Sequence, residues 1–245
     1  MTVPARYYRT SEWAYQAVKG IFKTILKLTY DVQVEGAENL NELPATQGFI
    51  MAGNHGSIVD AFVMGLMVNT HRVRFIGRQR TLFGNPIFGR INNIVGTIPV
   101  PERLTKDKSL VVKVAVDALK EGACIGIFPE GAILRRRKAF YGRTGMARMV
   151  LEAGVPVVPT GLLGTDGLWP YGAKMPRLGK PVEMIVGKPL YFDKFHGMQE
   201  NREVVKYVTD AVMKEVRILS GFYDVPSETI VEIYNYYENL KEPNI

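Results

Sequence analysis

Short apolar runs alternate with helical patterns along most of this chain, and that alternation constrains its fold more than any other feature. The runs Gln33–Val34, Gly48–Ala52, Val73–Ile76, Thr97–Val100, Ala123–Phe128, Val155–Leu163 and Val182–Val186 end in Gly, Pro or polar residues, as strands do. Helical patterns near Asp60–Val68, Pro86–Ile94, Asp107–Lys120 and Thr144–Ala153 lie between them. Parallel strands need such crossovers, so the expected class is α/β: a mixed, largely parallel sheet flanked by helices. Val204, Val208, Val212 and Val216 form one stripe of a later helix, with Leu219 close by, and Ser227 is placed to cap a last helix reaching Leu240. With no linker, repeat or low-complexity tract, residues 32–245 read as one domain and residues 1–31 as an N-terminal helical appendage.

Within that appendage, Ser11 can cap a helix running to Thr29, with Glu12 in its favourable first turn. Val18, Ile21, Ile25 and Leu28 repeat at helical spacing, and Lys19, Lys23 and Lys27 lie on the opposite side. Trp13, Tyr15 and Phe22 add aromatics. Two readings fit: a helix lying in a membrane interface through Trp13, Lys19, Phe22, Lys23 and Lys27, or one packed on its own domain. No apolar stretch reaches the 18 residues of a spanning helix, and the first residues lack the apolar run of a secretory signal. The single cysteine, Cys124, allows no intrachain disulfide and suits a reducing compartment.

Charge is informative by its place. The net is +7, but Asp60 to Glu102 contains no acid between its ends and five arginines, at 72, 74, 78, 80 and 90. Glu130 to Glu152 contains six bases: Arg135, Arg136, Arg137, Lys138, Arg143 and Arg148. The remainder of the chain is net negative. A field so concentrated attracts anions, whether nucleic acid, phospholipid, a phosphorylated small molecule or an acidic carrier protein. The plainer reading is a solvated basic face.

Four polar clusters punctuate the strand ends. Gly48–Ala52 runs into Asn54-His55-Gly56-Ser57-Ile58-Val59-Asp60, where an α/β fold places its site. A carboxylate at 60 can accept from one imidazole nitrogen and leave the other free as a base. Of the three histidines, His55 alone has an acid five residues on, although a structural histidine also fits that spacing. The other clusters are Phe128-Pro129-Glu130-Gly131, Gly96-Thr97-Ile98-Pro99-Val100-Pro101-Glu102-Arg103 and Val155-Pro156-Val157-Val158-Pro159. A G-x-S-x-G serine site fails at Ser57, which is flanked by His55 and Val59. Three dispersed histidines and one cysteine supply no expected metal site, and no phosphate-binding glycine fingerprint occurs. Cys124, within an apolar run, reads as buried and inert. A basic binding module remains the rival from another class, and it would have no need of a histidine held by a carboxylate.

In this order the four clusters resemble the glycerolipid acyltransferase family, specifically the bacterial 1-acylglycerol-3-phosphate acyltransferases. The likeness lies in N-H-x-x-x-x-D at 54–60, G-x-I-P-V…R at 96–103, F-P-E-G at 128–131 and V-P-x-V-P at 155–159, with smaller echoes at 142–145 and 164–166. The resemblance implies an acyl group moved from acyl-CoA or acyl carrier protein to a lysophospholipid hydroxyl, giving phosphatidic acid when the acceptor is 1-acylglycerol-3-phosphate. It implies His55 as base and Asp60 as its orienting carboxylate. Acceptor binding is implied for Arg78, Arg103, Glu130 and Gly131. It implies no cofactor, no nucleic acid, and a peripheral position at an anionic membrane surface on the cytoplasmic face. One departure stands out: where the family continues E-G-T-R-S, this chain has Glu130-Gly131-Ala132-Ile133-Leu134. Either Arg135, Arg136 and Arg137 replace the missing arginine, or the acceptor is another lipid or glycolipid.

Overall fold

The computed structural model describes residues 11–100, 108–131, 133, 142–169, 175 and 177–221. Strands β1 (Asp31–Glu35), β2 (Phe49–Gly53), β3 (Val73–Arg78), β4 (Ile98–Val100), β5 (Cys124–Ile127), β6 (Val157–Leu163) and β7 (Pro181–Val186) form one sheet in the order β1-β7-β6-β2-β5-β3-β4. Every neighbouring pair is parallel except β6 with β7. The mixed, largely parallel sheet is therefore as expected, with strand ends shifted by one or two residues. Helices are α1 (Glu12–Thr29), α2 (Asp60–Met67), α3 (Gln79–Phe83), α4 (Pro86–Val95), α5 (Lys108–Lys120), α6 (Gly145–Ala153), α7 (Thr165–Leu168) and α8 (Arg202–Leu219). Helices α3 and α7, of 5 and 4 residues, are too short to display a period and were not expected. The helix expected from Ser227 lies outside the described residues.

Burial on both faces explains why the central strands read as unbroken apolar runs rather than alternating ones. Strand β2 is buried along its whole length. Its Ile50 and Ala52 enter one core with Ile125, Val157 and the inner faces of α5, α6 and α8. Phe49 and Met51 point the other way, into a second core with Cys124, Val158, Leu26 of α1 and Val63, Met64 and Met67 of α2. Burial pushes the Cys124 thiol well above its ordinary value, which suits an inert packing role.

Helix α1 forms as expected but docks the other way round. The Ser11 hydroxyl accepts from the Ala14 N–H at 3.4 Å, and Tyr15 and Leu26 are buried against the domain. Arg72 lies 3.8 Å above the Tyr15 ring and pairs with Glu12 at 3.1 Å. Lys19 is buried and donates to the Val68 carbonyl, while Lys23 donates to Asn69 Oδ1 at 2.7 Å. Val68 is the C-cap of α2, where free carbonyls and the negative end of the helix dipole attract cations. Burial, helped by repulsion from Lys23, lowers the Lys19 pKa to about 8. The expected outward row of lysines is thus corrected for Lys19 and Lys23. Phe22 also differs: it is half-buried and stacks on Phe62 at 6.4 Å. Trp13 and Lys27 do face solvent, together with Ile21, Ile25 and Leu28.

Ile50 sits at the meeting point of β5, β6 and the first core. Ile50→Ala should lower stability by about 2–5 kcal/mol, the range for truncating a fully buried large aliphatic side chain. The check is a lower denaturant midpoint at unchanged slope.

Candidate active site

Parallel pairing brings the polar strand ends together. Ala52 is in register with Ile127, and Gly53 with Thr160, so Asn54-His55 and Phe128-Pro129-Glu130 leave the sheet side by side at its carboxyl end. The buried side chain of Asn54 then acts as one more ladder rung. Its Nδ2 donates to the Leu162 carbonyl at 2.8 Å and its Oδ1 accepts from the Leu162 N–H at 2.7 Å. Both polar ends of a buried amide are thereby satisfied, and the backbone of His55 is tied to β6.

His55 Nδ1 lies 2.9 Å from Asp60 Oδ2. The same oxygen accepts the Ser57 N–H at 2.7 Å, so it serves as an acceptor, and Nδ1 carries the proton it receives. That tautomer leaves Nε2 with a free lone pair. Asp60 is fully buried as the first residue of α2. Ser57 is also spoken for: its hydroxyl donates to the Trp169 carbonyl at 3.0 Å and accepts from the Val59 N–H at 3.3 Å. That engagement suits a turn-forming role and not a nucleophile's.

The plane of the imidazole is set by aromatics. Phe128 stacks on His55 with ring centroids 4.0 Å apart and planes 10° from parallel, and Phe75 lies 5.9 Å beyond Phe128 at 13°. Phe75 reaches this position by crossing Gly126 in the neighbouring strand, where a Cβ would come within 2.5 Å of its ring. Sequence reading missed Gly126 and Phe75. A lone glycine inside an apolar strand was the available signal, since it marks a close approach.

Glu130 sits beside this pair and is almost fully buried, with neither carboxyl oxygen in a regular hydrogen bond among the described residues. Burial raises its pKa to about 8; the His55 backbone N–H opposes that rise and the Asp60 charge adds to it. Gly131 follows at φ 73°, in the left-handed region, and its N–H closes the turn onto the Phe128 carbonyl at 3.0 Å. Arg78 ends β3 in register with Val100, at the same end of the sheet as His55. Arg103, Arg135, Arg136 and Arg137 lie outside the described residues. Among the described residues no cluster of His, Cys, Asp and Glu is arranged to hold a metal ion, and no helix is long and apolar enough to cross a membrane.

A histidine held by a buried carboxylate, beside an acid whose charge is disfavoured by burial, thus stands at the carboxyl end of the sheet. The family model for acyltransferases matches residues 31–163, more than half of the chain and the whole of this site. The chain belongs to the acyltransferase family, as the four sequence clusters implied.

Its relatives narrow the comparison. It is 26% identical over 210 residues to a 1-acyl-sn-glycerol-3-phosphate acyltransferase of Bacillus subtilis, covering 86% of this chain and 98% of that one. It is 28% identical to a chloroplastic 1-acyl-sn-glycerol-3-phosphate acyltransferase of Arabidopsis thaliana, over 67% of this chain and 45% of that longer protein. Among solved structures, the 1-acyl-sn-glycerophosphate acyltransferase PlsC of Thermotoga maritima superposes with a TM-score of 0.61 at 25% identity, covering 83% of this chain and 80% of that one.

The raised Glu130 carboxyl gives a pH test with a definite sign. Below pH 4.5 both folded and unfolded chains hold the proton; between 4.5 and about 8 only the folded chain keeps it. Stability from this group is therefore full at low pH and falls as pH rises through that window. Glu130→Gln should remove this part of the slope, gaining on the wild type steadily from pH 4.5 to about 8 in thermal melts.

Proposed function

We propose that this protein transfers a fatty acyl group from a thioester carrier, acyl-CoA or acyl carrier protein, to the free hydroxyl of 1-acylglycerol-3-phosphate, giving phosphatidic acid. The observation that carries this reading is the His55–Asp60 pair at 2.9 Å, which leaves Nε2 free at the carboxyl end of the sheet. The relatives' names supply the support for the acceptor.

In the reaction, His55 Nε2 takes the hydroxyl proton as the acceptor oxygen attacks the thioester carbonyl carbon. The tetrahedral intermediate collapses with cleavage of the carbon–sulfur bond, and the proton passes from His55 to the departing thiolate. Atoms and charge balance without an enzyme nucleophile, in keeping with the engaged Ser57 hydroxyl. Asp60 offsets the charge of the transient imidazolium and holds its tautomer. The Phe128 face restrains the ring's rotation and adds cation–π stabilisation to the protonated form.

His55→Ala should lower turnover by about 10²–10⁴, the usual contribution of a general base, with the fold intact by circular dichroism. Asp60→Asn should impair it as well by disturbing the tautomer. Near-normal turnover in folded His55→Ala protein would sink the mechanism. A wild type that acylates monoacylglycerol or lysophosphatidylcholine in preference to 1-acylglycerol-3-phosphate would sink the acceptor while leaving acyl transfer standing.

The reading includes a peripheral position at the cytoplasmic face of the membrane, and α1 supports it through its exposed apolar side. Trp13, Ile21, Ile25 and Leu28 face solvent on a helix whose Lys19 and Lys23 are already occupied by the domain. Apolar burial in the lipid interface then supplies most of the attachment, with Lys27 left to meet anionic headgroups. Trp13→Ser with Leu28→Ser should release the protein from neutral and anionic vesicles alike in a sedimentation assay. Lys27→Gln should weaken binding to anionic vesicles only, by about 1 kcal/mol. Unchanged sedimentation of the Trp13/Leu28 variant would remove α1 from the attachment site.

A further inference from the structure

Acyl transfer to a hydroxyl needs the base, its carboxylate and the stacked ring, and it gives no part to a cation that sits on the F-P-E-G turn. Arg143 meets that turn twice. Its backbone N–H donates to the Pro129 carbonyl at 2.7 Å. Its side chain lies against Gly131, where a Cβ would come 2.7 Å from Nε, 2.9 Å from Cδ and 3.0 Å from Cζ. The bare glycine is therefore what admits the guanidinium.

Arg143 is exposed, and among the described residues its guanidinium pairs with no carboxylate. Arg148, by contrast, is held by Glu200 at 3.0 Å and the Gln199 carbonyl at 2.9 Å. Glu130 lies close enough to His55 for the His55 backbone N–H to act on its carboxyl, and Arg143 sits on the next residue of the same turn. The resemblance leads one to expect an arginine at position 133, where Ile133 stands. Arg143 reaches the same turn from a later position in the chain.

We propose that Arg143, seated on Gly131, binds the phosphate monoester of the acceptor and so selects a phosphorylated acceptor over an uncharged one. This rests on the acceptor assigned under the proposed function. A planar guanidinium suits a phosphate monoester because it donates two parallel charge-assisted hydrogen bonds. The 3′-phosphate of coenzyme A presents the same chemistry, and the experiment separates the two sources.

Steady-state kinetics are measured for wild type, Arg143→Ala, Arg143→Lys and Gly131→Ala. The acceptors are detergent-dispersed 1-acylglycerol-3-phosphate and monoacylglycerol, and each is paired with acyl-CoA and with acyl carrier protein. Arg143→Ala should raise the KM for the phosphorylated acceptor about ten- to a hundredfold, the fold-change of a lost charge-assisted hydrogen bond. Its kcat, its KM for either donor and its residual rate on monoacylglycerol should stay near wild type. Arg143→Lys should recover part of the loss, and Gly131→Ala should reproduce it by displacing the guanidinium. An unchanged acceptor KM in Arg143→Ala overturns the proposal, as does a rise confined to the acyl-CoA KM. A wild type that turns over the phosphorylated acceptor no better than monoacylglycerol defeats the acceptor assignment itself, and the two failures are thereby distinct.

Discussion

The two hydrogen bonds between the Asn54 amide and the Leu162 backbone are the constraint on which the site depends. They extend the β2–β6 ladder one residue past the end of β2, through a side chain instead of a main chain. His55 therefore begins its turn from a fixed point, and the five-residue return to Asp60 has little freedom in which to go wrong. Breaking either bond would leave a buried donor or acceptor without a partner, which costs about 1–3 kcal/mol. That penalty guards the geometry of His55 as well as the stability of the sheet.

Two carboxyl groups flank this histidine under opposite conditions. Asp60 begins a helix, and its Oδ2 meets both the Ser57 N–H and His55 Nδ1. Glu130 lies where donors are scarce and Asp60 is near, and it holds its proton to about pH 8. Environments that separate two acids in this way divide labour between them. In the proposed reaction Asp60 compensates the charge that appears on the imidazole, and Glu130, kept neutral by burial, adds no second negative charge beside it.

Much of this was legible in the sequence, and what was not has a physical reason. Runs bounded by Gly, Pro and polar residues located all seven strands of the described residues because central parallel strands are apolar on both faces. The His55–Asp60 pair was legible because both partners lie within one strand–turn–helix unit. Asn54 and Leu162 are 108 residues apart, and no local pattern joins them. The same holds for Gly126 and Phe75, whose contact depends on which strands become neighbours. In α1 the period divided lysines from aliphatics correctly, yet it could not say which side faced the domain. The unpaired carbonyls at the end of α2 decided that, and a helical wheel contains no record of them.

The docking of α1 has a mechanical consequence. Lys19 and Lys23 grip the carboxyl end of α2 and the residue beyond it, while the amino end of α2 is Asp60 itself. An 8-residue helix is a stiff strut of about 12 Å. The helix with the greasy outer side and the carboxylate that aims the imidazole are thus the two ends of one short lever. A tilt of α1 against the sheet would carry the carboxyl end of α2 with it and, through that strut, shift Asp60 at the other end.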